Sequence, residues 1–88
     1  MSDNWYVYIL ECCDGSLYTG ITNDVDKRMI AHESGSGSKY VARKGFAKLL
    51  HVIKIEDKSS AAKLEYAIKH LPRHKKIDFF LNHANLES

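Results

Sequence analysis

The period of apolar and polar positions changes several times along this chain, and each change marks an element. Trp5-Tyr6-Val7-Tyr8-Ile9-Leu10-Glu11 is a run of aromatic, β-branched and apolar residues and predicts a strand. Cys12-Cys13-Asp14-Gly15-Ser16 carries an Asp-Gly turn signal, and Leu17-Tyr18-Thr19-Gly20-Ile21-Thr22 reads as a second strand, so the two predict an antiparallel hairpin. A period of two puts Tyr6, Tyr8 and Leu10 on one face of the first strand, and Tyr18 and Gly20 on one face of the second. Thr22 or Asn23 then caps a helix with Asp24 and Asp26 in its first turn and Val25, Met29 and Ile30 on its apolar side. That helix is expected to stop at the flexible Gly/Ser stretch of residues 34–38.

Residues 39–48 read as a short helix or an ordered loop. Residues 49–55 alternate as a third strand does. Asp57-Lys58-Ser59-Ser60 opens a helix running to about Leu71, with Ala61, Leu64, Ile68 and Leu71 inward. Pro72 ends it, because proline lacks the N–H and restricts the residue before it. A short last helix from Arg73 to about Leu81 would bury Ile77, Phe80 and Leu81. The fold class is therefore α+β, a small three-stranded antiparallel sheet flanked by helices. No internal repeat is present.

Composition narrows the function classes. The 88 residues suit a single domain spanning 1–88, with its core over about 5–81. With 44% hydrophobic and 27% charged residues, a folded body is expected rather than disorder. No apolar run is long enough for a bilayer, so no membrane association is expected. Met1-Ser2-Asp3-Asn4 lacks the basic and apolar regions of a secretory leader, which predicts a cytoplasmic protein. Cys12 and Cys13 are adjacent and have no other partner, which predicts reduced thiols. Residues 1–37 hold two basic and six acidic side chains, and residues 38–88 hold eleven and five. A basic C-terminal half is a plausible phosphate-facing surface, although an ordinarily solvated surface explains the same charges.

Individual residues carry two readings each. Arg28 and His32 are four apart and share a side of their helix. Glu65 and Lys69 have the same spacing, which by itself describes a helix ion pair. Lys69, Arg73, Lys75 and Lys76 cluster around Pro72 and suit either a nucleic-acid backbone or solvent. His70 and His74 have ligand-like spacing, but Pro72 between them breaks a common face and no cysteine pair completes a zinc site. The cysteines have no adjacent base to activate them as nucleophiles.

Taken together, the motifs resemble the GIY-YIG nucleases, and most closely their small stand-alone bacterial members. Tyr6-Val7-Tyr8 stands at the first motif and Tyr18-Thr19-Gly20 at the second; Arg28, His32 and Glu65 follow in the family's order. The resemblance implies a nuclease hydrolysing phosphodiester bonds of nucleic acid, DNA favoured, in DNA repair or processing. It implies Tyr8, Tyr18, Arg28 and His32 as catalytic residues, Glu65 as ligand of a divalent metal (Mg²⁺ or Mn²⁺) and Gly20 as a structural residue at the site. The two tyrosines would pass protons, either one serving as base. Arg28 would hold non-bridging phosphate oxygens through its planar fork, and His32 would shuttle a proton. Tyr6 reads as a third site residue or as packing, and Asn82 is not carried over.

The sequence also departs from the family. Tyr6 replaces Gly and Thr19 replaces Ile. Val41-Ala42 and Gly45-Phe46 stand where the small members show Thr-Arg and Arg-Pro, a change that alters none of the proposed catalytic residues but bears on substrate contacts from this loop. The alternatives are a non-catalytic nucleic-acid-binding module and a protein-interaction adaptor, the latter suited to a chain with no appended recognition domain.

Overall fold

The strand richest in apolar residues takes the middle of the sheet, where both of its edges are paired and both of its faces are covered. In the computed structural model, which describes residues 4–87 and side chains as far as residue 82, β1 (Trp5–Cys12) lies between β2 (Leu17–Thr22) and β3 (Phe46–Ile55), and both pairings are antiparallel. Val7, Tyr8, Ile9 and Leu10 are all buried. Alternation sends Val7 and Ile9 to one face and Tyr8, Leu10 and Cys12 to the other. Met1–Asp3, read for a leader, lie outside the described residues.

The first face holds the larger core. Val7, Ile9 and Ile53 pack there with Ala61 and Ile68 of α3 (Lys58–Lys69) and Phe80 of α4 (Arg73–Glu87). Asp57 caps α3 by accepting a 2.7 Å hydrogen bond from the Ser60 N–H. The second face is covered by α1 (Val25–Ser34) and α2 (Lys39–Lys44), with Val41 the buried residue of α2 and Met29 packed beside it. Among the described residues no helix is long and apolar enough to cross a membrane.

Several expectations shift. The N-cap of α1 is Asp24, not Thr22 or Asn23, and its carboxylate accepts from the Lys27 N–H. Thr22 is the last residue of β2, and its hydroxyl instead ties down Asp24 through that residue's backbone N–H and carbonyl. Ile30 is 66% exposed, because the covering side of α1 runs through Met29 and His32 and Ile30 turns away from it. Residues 39–44 form a helix capped by Ser38, and β3 starts at Phe46, three residues before the expected Leu49. Irregular registers at Ile9/Leu10 and Glu11/Cys12 break the alternation there, which hid the start of the strand. The third helix stops at Lys69, two residues short of Leu71. The last helix continues to Glu87, and Leu81 is 47% exposed rather than buried. Both cysteines are free, Cys12 buried and Cys13 exposed.

Candidate active site

The site grows from the α1/α2 face of the hairpin. Tyr8 on β1 faces Gly20 on β2, and Tyr18 faces Leu10. Glycine at position 20 is what lets the Tyr8 ring lie down across β2: a Cβ there would sit 2.5 Å from the Tyr8 hydroxyl oxygen. The Tyr8 and Tyr18 ring centroids are 6.4 Å apart.

His32 reaches this pair from the third turn of α1. Its Nε2 shares a 2.8 Å buried hydrogen bond with the Tyr8 hydroxyl, and its ring meets Tyr18 edge-on at 5.6 Å. The ring is buried, and Nδ1 has no hydrogen-bond partner among the described residues. Burial, then the charge of Arg28, hold His32 below the ordinary imidazole pKa, so it is neutral at pH 7. Burial pushes the Tyr8 hydroxyl well above the usual tyrosine value; Tyr18 and Glu65 push the same way and Arg28 opposes them. Arg28 and Glu65 are therefore both close enough to act on the buried hydroxyl.

Arg28 sits one turn before His32, half-buried, with Nη1 donating to the Gly37 carbonyl at 3.4 Å. Glu65 lies on the shoulder of the buried stripe of α3, between Ala61 and Ile68, with 22% of its side chain exposed. It forms the 3.6 Å ion pair with Lys69 that helix spacing allows, and Lys69 Nζ also stands 5.9 Å from the Tyr18 ring centre. Tyr8, Tyr18, Gly20, Arg28 and His32 thus come together, with Glu65 at their rim. A single carboxylate suits a hard cation that takes most of its ligands from phosphate oxygens and water. Glu65, already paired with one positive group, fits that description.

The remaining candidates scatter. Arg73 is engaged within the chain: it donates to the Gly15 carbonyl and lies 3.8 Å from Glu11, fastening α4 to the hairpin. Lys75 is exposed and Lys76 half-buried. His70 caps α3 and bonds the Tyr66 carbonyl through Nδ1, while Asn82 is exposed. Tyr6 lines a hollow of about 310 Å³ with Asn23, Asp24, Val25 and Asp26. A neighbouring hollow of about 280 Å³ reaches Arg28.

Four features of the site were not legible in the sequence. The stretch expected to be flexible is closed over His32: a Cβ on Gly37 would stand 2.5 Å from Nδ1. Tyr40 stacks on Tyr18 at 5.9 Å. Phe46 stacks on His32 at 6.3 Å and Val41 belongs to the same buried cluster as Tyr8, so the segment that departs from the family pattern borders the catalytic set. For Val41 and Phe46 the sequence signal was the departure from the family pattern at those positions; Gly37 and Tyr40 lie in a stretch that matches the small members.

The model of the GIY-YIG catalytic domain matches residues 4–78. A UPF0213 protein of Oceanobacillus iheyensis is 48% identical over 77 residues, covering 88% of this chain and 90% of the relative. One from Halalkalibacterium halodurans is 51% identical over 73 residues, covering 83% and 78%. Among solved structures, the solution NMR structure of a UPF0213 protein from Bacillus halodurans matches with a TM-score of 0.54 at 49% identity, covering 86% of this chain and 81% of that one. A protein from E. faecalis, also solved by NMR, matches with a TM-score of 0.61 at 35% identity, covering 96% and 93%.

Proposed function

The chain belongs to the GIY-YIG family, and on that premise we propose that it is a metal-dependent endonuclease hydrolysing phosphodiester bonds of nucleic acid, DNA before RNA, in DNA repair or processing. The observation that carries this reading is the buried Tyr8–His32 hydrogen bond, with Tyr18, Arg28 and Glu65 grouped around it.

The geometry favours Tyr8 as the residue that moves the proton. Its raised pKa means that a free tyrosinate is not populated at neutral pH. The hydroxyl must therefore lose its proton as it takes one from the attacking water. His32 supplies the acceptor, since it is neutral and, with its proton on Nδ1, presents Nε2 to Tyr8. Arg28 provides a fork for the phosphoryl oxygens. Tyr18 stands beside Tyr8 and lines the approach. Glu65 would hold a divalent ion, which when bound supplies Lewis-acid neutralisation and orients the leaving oxygen. Lys69 would give up its pairing with Glu65 to that ion.

The test is a cleavage assay on single-stranded, duplex and branched DNA and on RNA, with Mg²⁺, Mn²⁺ or chelator, beside Glu65→Ala. Metal-dependent products from the wild type and none from Glu65→Ala are expected. A pure, folded wild type that cuts none of these substrates would overturn the reading.

A further inference from the structure

One row of side chains leads out of the site. Lys69 Nζ stands 5.9 Å from the Tyr18 ring centre, Tyr18 stacks on Tyr40 at 5.9 Å with 26° between planes, and Lys44 Nζ stands 5.4 Å from the Tyr40 ring centre. Tyr18 touches His32, so the row starts at the proposed chemistry. It ends at Tyr40, which is 41% exposed on a helix whose neighbouring Val41 is fully buried. The buried Val41 anchors α2 and holds the Tyr40 ring at the surface. Both cations are neutralised within the chain, Lys69 by Glu65 and Lys44 by Asp14 at 2.9 Å, with that second pair exposed.

We propose that Tyr40 and Lys44 form a nucleotide subsite beside the catalytic cluster, in which an unpaired nucleobase stacks on Tyr40 and its phosphate takes Lys44 from Asp14. The inference rests on the endonuclease reading and names the kind of strand that reading leaves open. Cation, ring, ring, cation is the order in which a flexible strand offers phosphates and bases, and aromatic stacking accepts any base because each has a π-face. A base inside a duplex is covered on both sides by its neighbours. Only a base out of the stack can use this ring, so a single strand, flap or frayed end is preferred to continuous duplex. Exchange of a carboxylate for a phosphate on Lys44 keeps the ammonium paired, which makes the displacement of Asp14 inexpensive at an exposed position.

Equilibrium binding tests this without cleavage. A fluorescently labelled oligothymidylate and a labelled blunt-ended duplex of two strands are titrated in chelator with wild type, Tyr40→Phe, Tyr40→Leu and Lys44→Gln. Tyr40→Leu is expected to bind the single strand about tenfold more weakly, within the range one stacked base carries, and the duplex unchanged. Tyr40→Phe retains wild-type affinity. Lys44→Gln lowers the slope of log K against log salt by roughly 0.7, the value for one single-strand phosphate. Wild-type affinity in Tyr40→Leu, or equal losses for both substrates, overturns the subsite, as does a wild type that binds no single strand. Absence of cleavage in metal, with these binding differences intact, overturns the catalytic reading alone.

Discussion

The two faces of the sheet are built from alternate residues of the same strands and have opposite characters. On the α3/α4 face, Val7, Ile9, Ile53, Ala61, Ile68 and Phe80 bury apolar side chains with little chemistry among them. On the α1/α2 face, Tyr8 and His32 are as deeply buried, yet they are hydrogen-bonded and flanked by charge. Each face also carries one buried polar atom with no partner among the described residues: Thr19 Oγ1, on the strand position facing Ile9, and His32 Nδ1. The contrast assigns stability to one face and chemistry to the other. It also suggests that the same defect has different meanings on each, a tolerated flaw at Thr19 and part of a working pair at His32.

The largest expected effect is at the catalytic cluster, which takes Tyr8 from the chemical face and Glu65 from α3 at its rim. Tyr8→Phe should lower the cleavage rate by about a hundredfold or more, the lower end of what a positioned proton-transfer group contributes, and Glu65→Ala should abolish cleavage by removing the metal ligand. Thermal melting of Glu65→Ala should stay near wild type. Retained cleavage in both variants would break the comparison at its root.

On the other face, Ile68→Ala should cost about 2–5 kcal/mol, as large-to-small core changes do. The melting midpoint should fall by more than about 8 °C in a chain of this size. Below its own melting point this variant should still cut. If it is folded and inactive, the faces are not separable.

Gly37→Ala comes next. The new methyl must move the His32 ring, because three of its atoms lie within 2.9 Å of the added carbon. We expect about a tenfold loss of rate, from weakened proton transfer. The imidazole titration followed by NMR should also shift, which a merely structural role for Gly37 would leave alone.

The pH dependence follows from His32. Its folded pKa lies below the unfolded value of 6.5, so the unfolded chain binds more protons in that window. This contribution to stability is present above pH 6.5 and is lost as pH falls through 6.5 toward the folded pKa. Melting midpoints between pH 7.5 and 5.5 should drop on acidification, and His32→Gln should flatten that slope.

The smallest effect is Thr19→Val. Replacing an unpartnered buried hydroxyl with a methyl should leave stability unchanged or raise it by about 1 kcal/mol, read from denaturant midpoints. A loss of stability would mean that the hydroxyl is satisfied in solution.

Much of this arrangement is legible in the chain. The hairpin follows from a strand-forming run, an Asp-Gly turn and a second run, and the period of two already puts Tyr18 and Gly20 on one face. The helix spacing of Arg28 and His32 puts both on one side of α1. Sequence could not say that residues 34–38 fold back, because Gly and Ser look the same in a mobile linker and in a tight clamp. What makes Gly37 a clamp is the His32 ring against its Cα, a contact between segments. Tyr40 and Phe46 were missed for the same reason. Their partners, Tyr18 and His32, belong to other elements, and no local period reports such pairing.

The strand order β2-β1-β3 has a kinetic consequence. The β1–β2 pairing closes across one short turn, whereas β1–β3 must wait for a chain carrying two helices to return. Loop closure therefore burdens only one half of the sheet. As the polypeptide is made, the hairpin with both tyrosines can form first while β1 still has an open edge. Docking of β3 is then the committing step. For equal losses of stability, Ile21→Val should slow folding at least as much as Ile53→Val, because the hairpin is already paired when β3 docks, and a chevron analysis of the two variants can measure this.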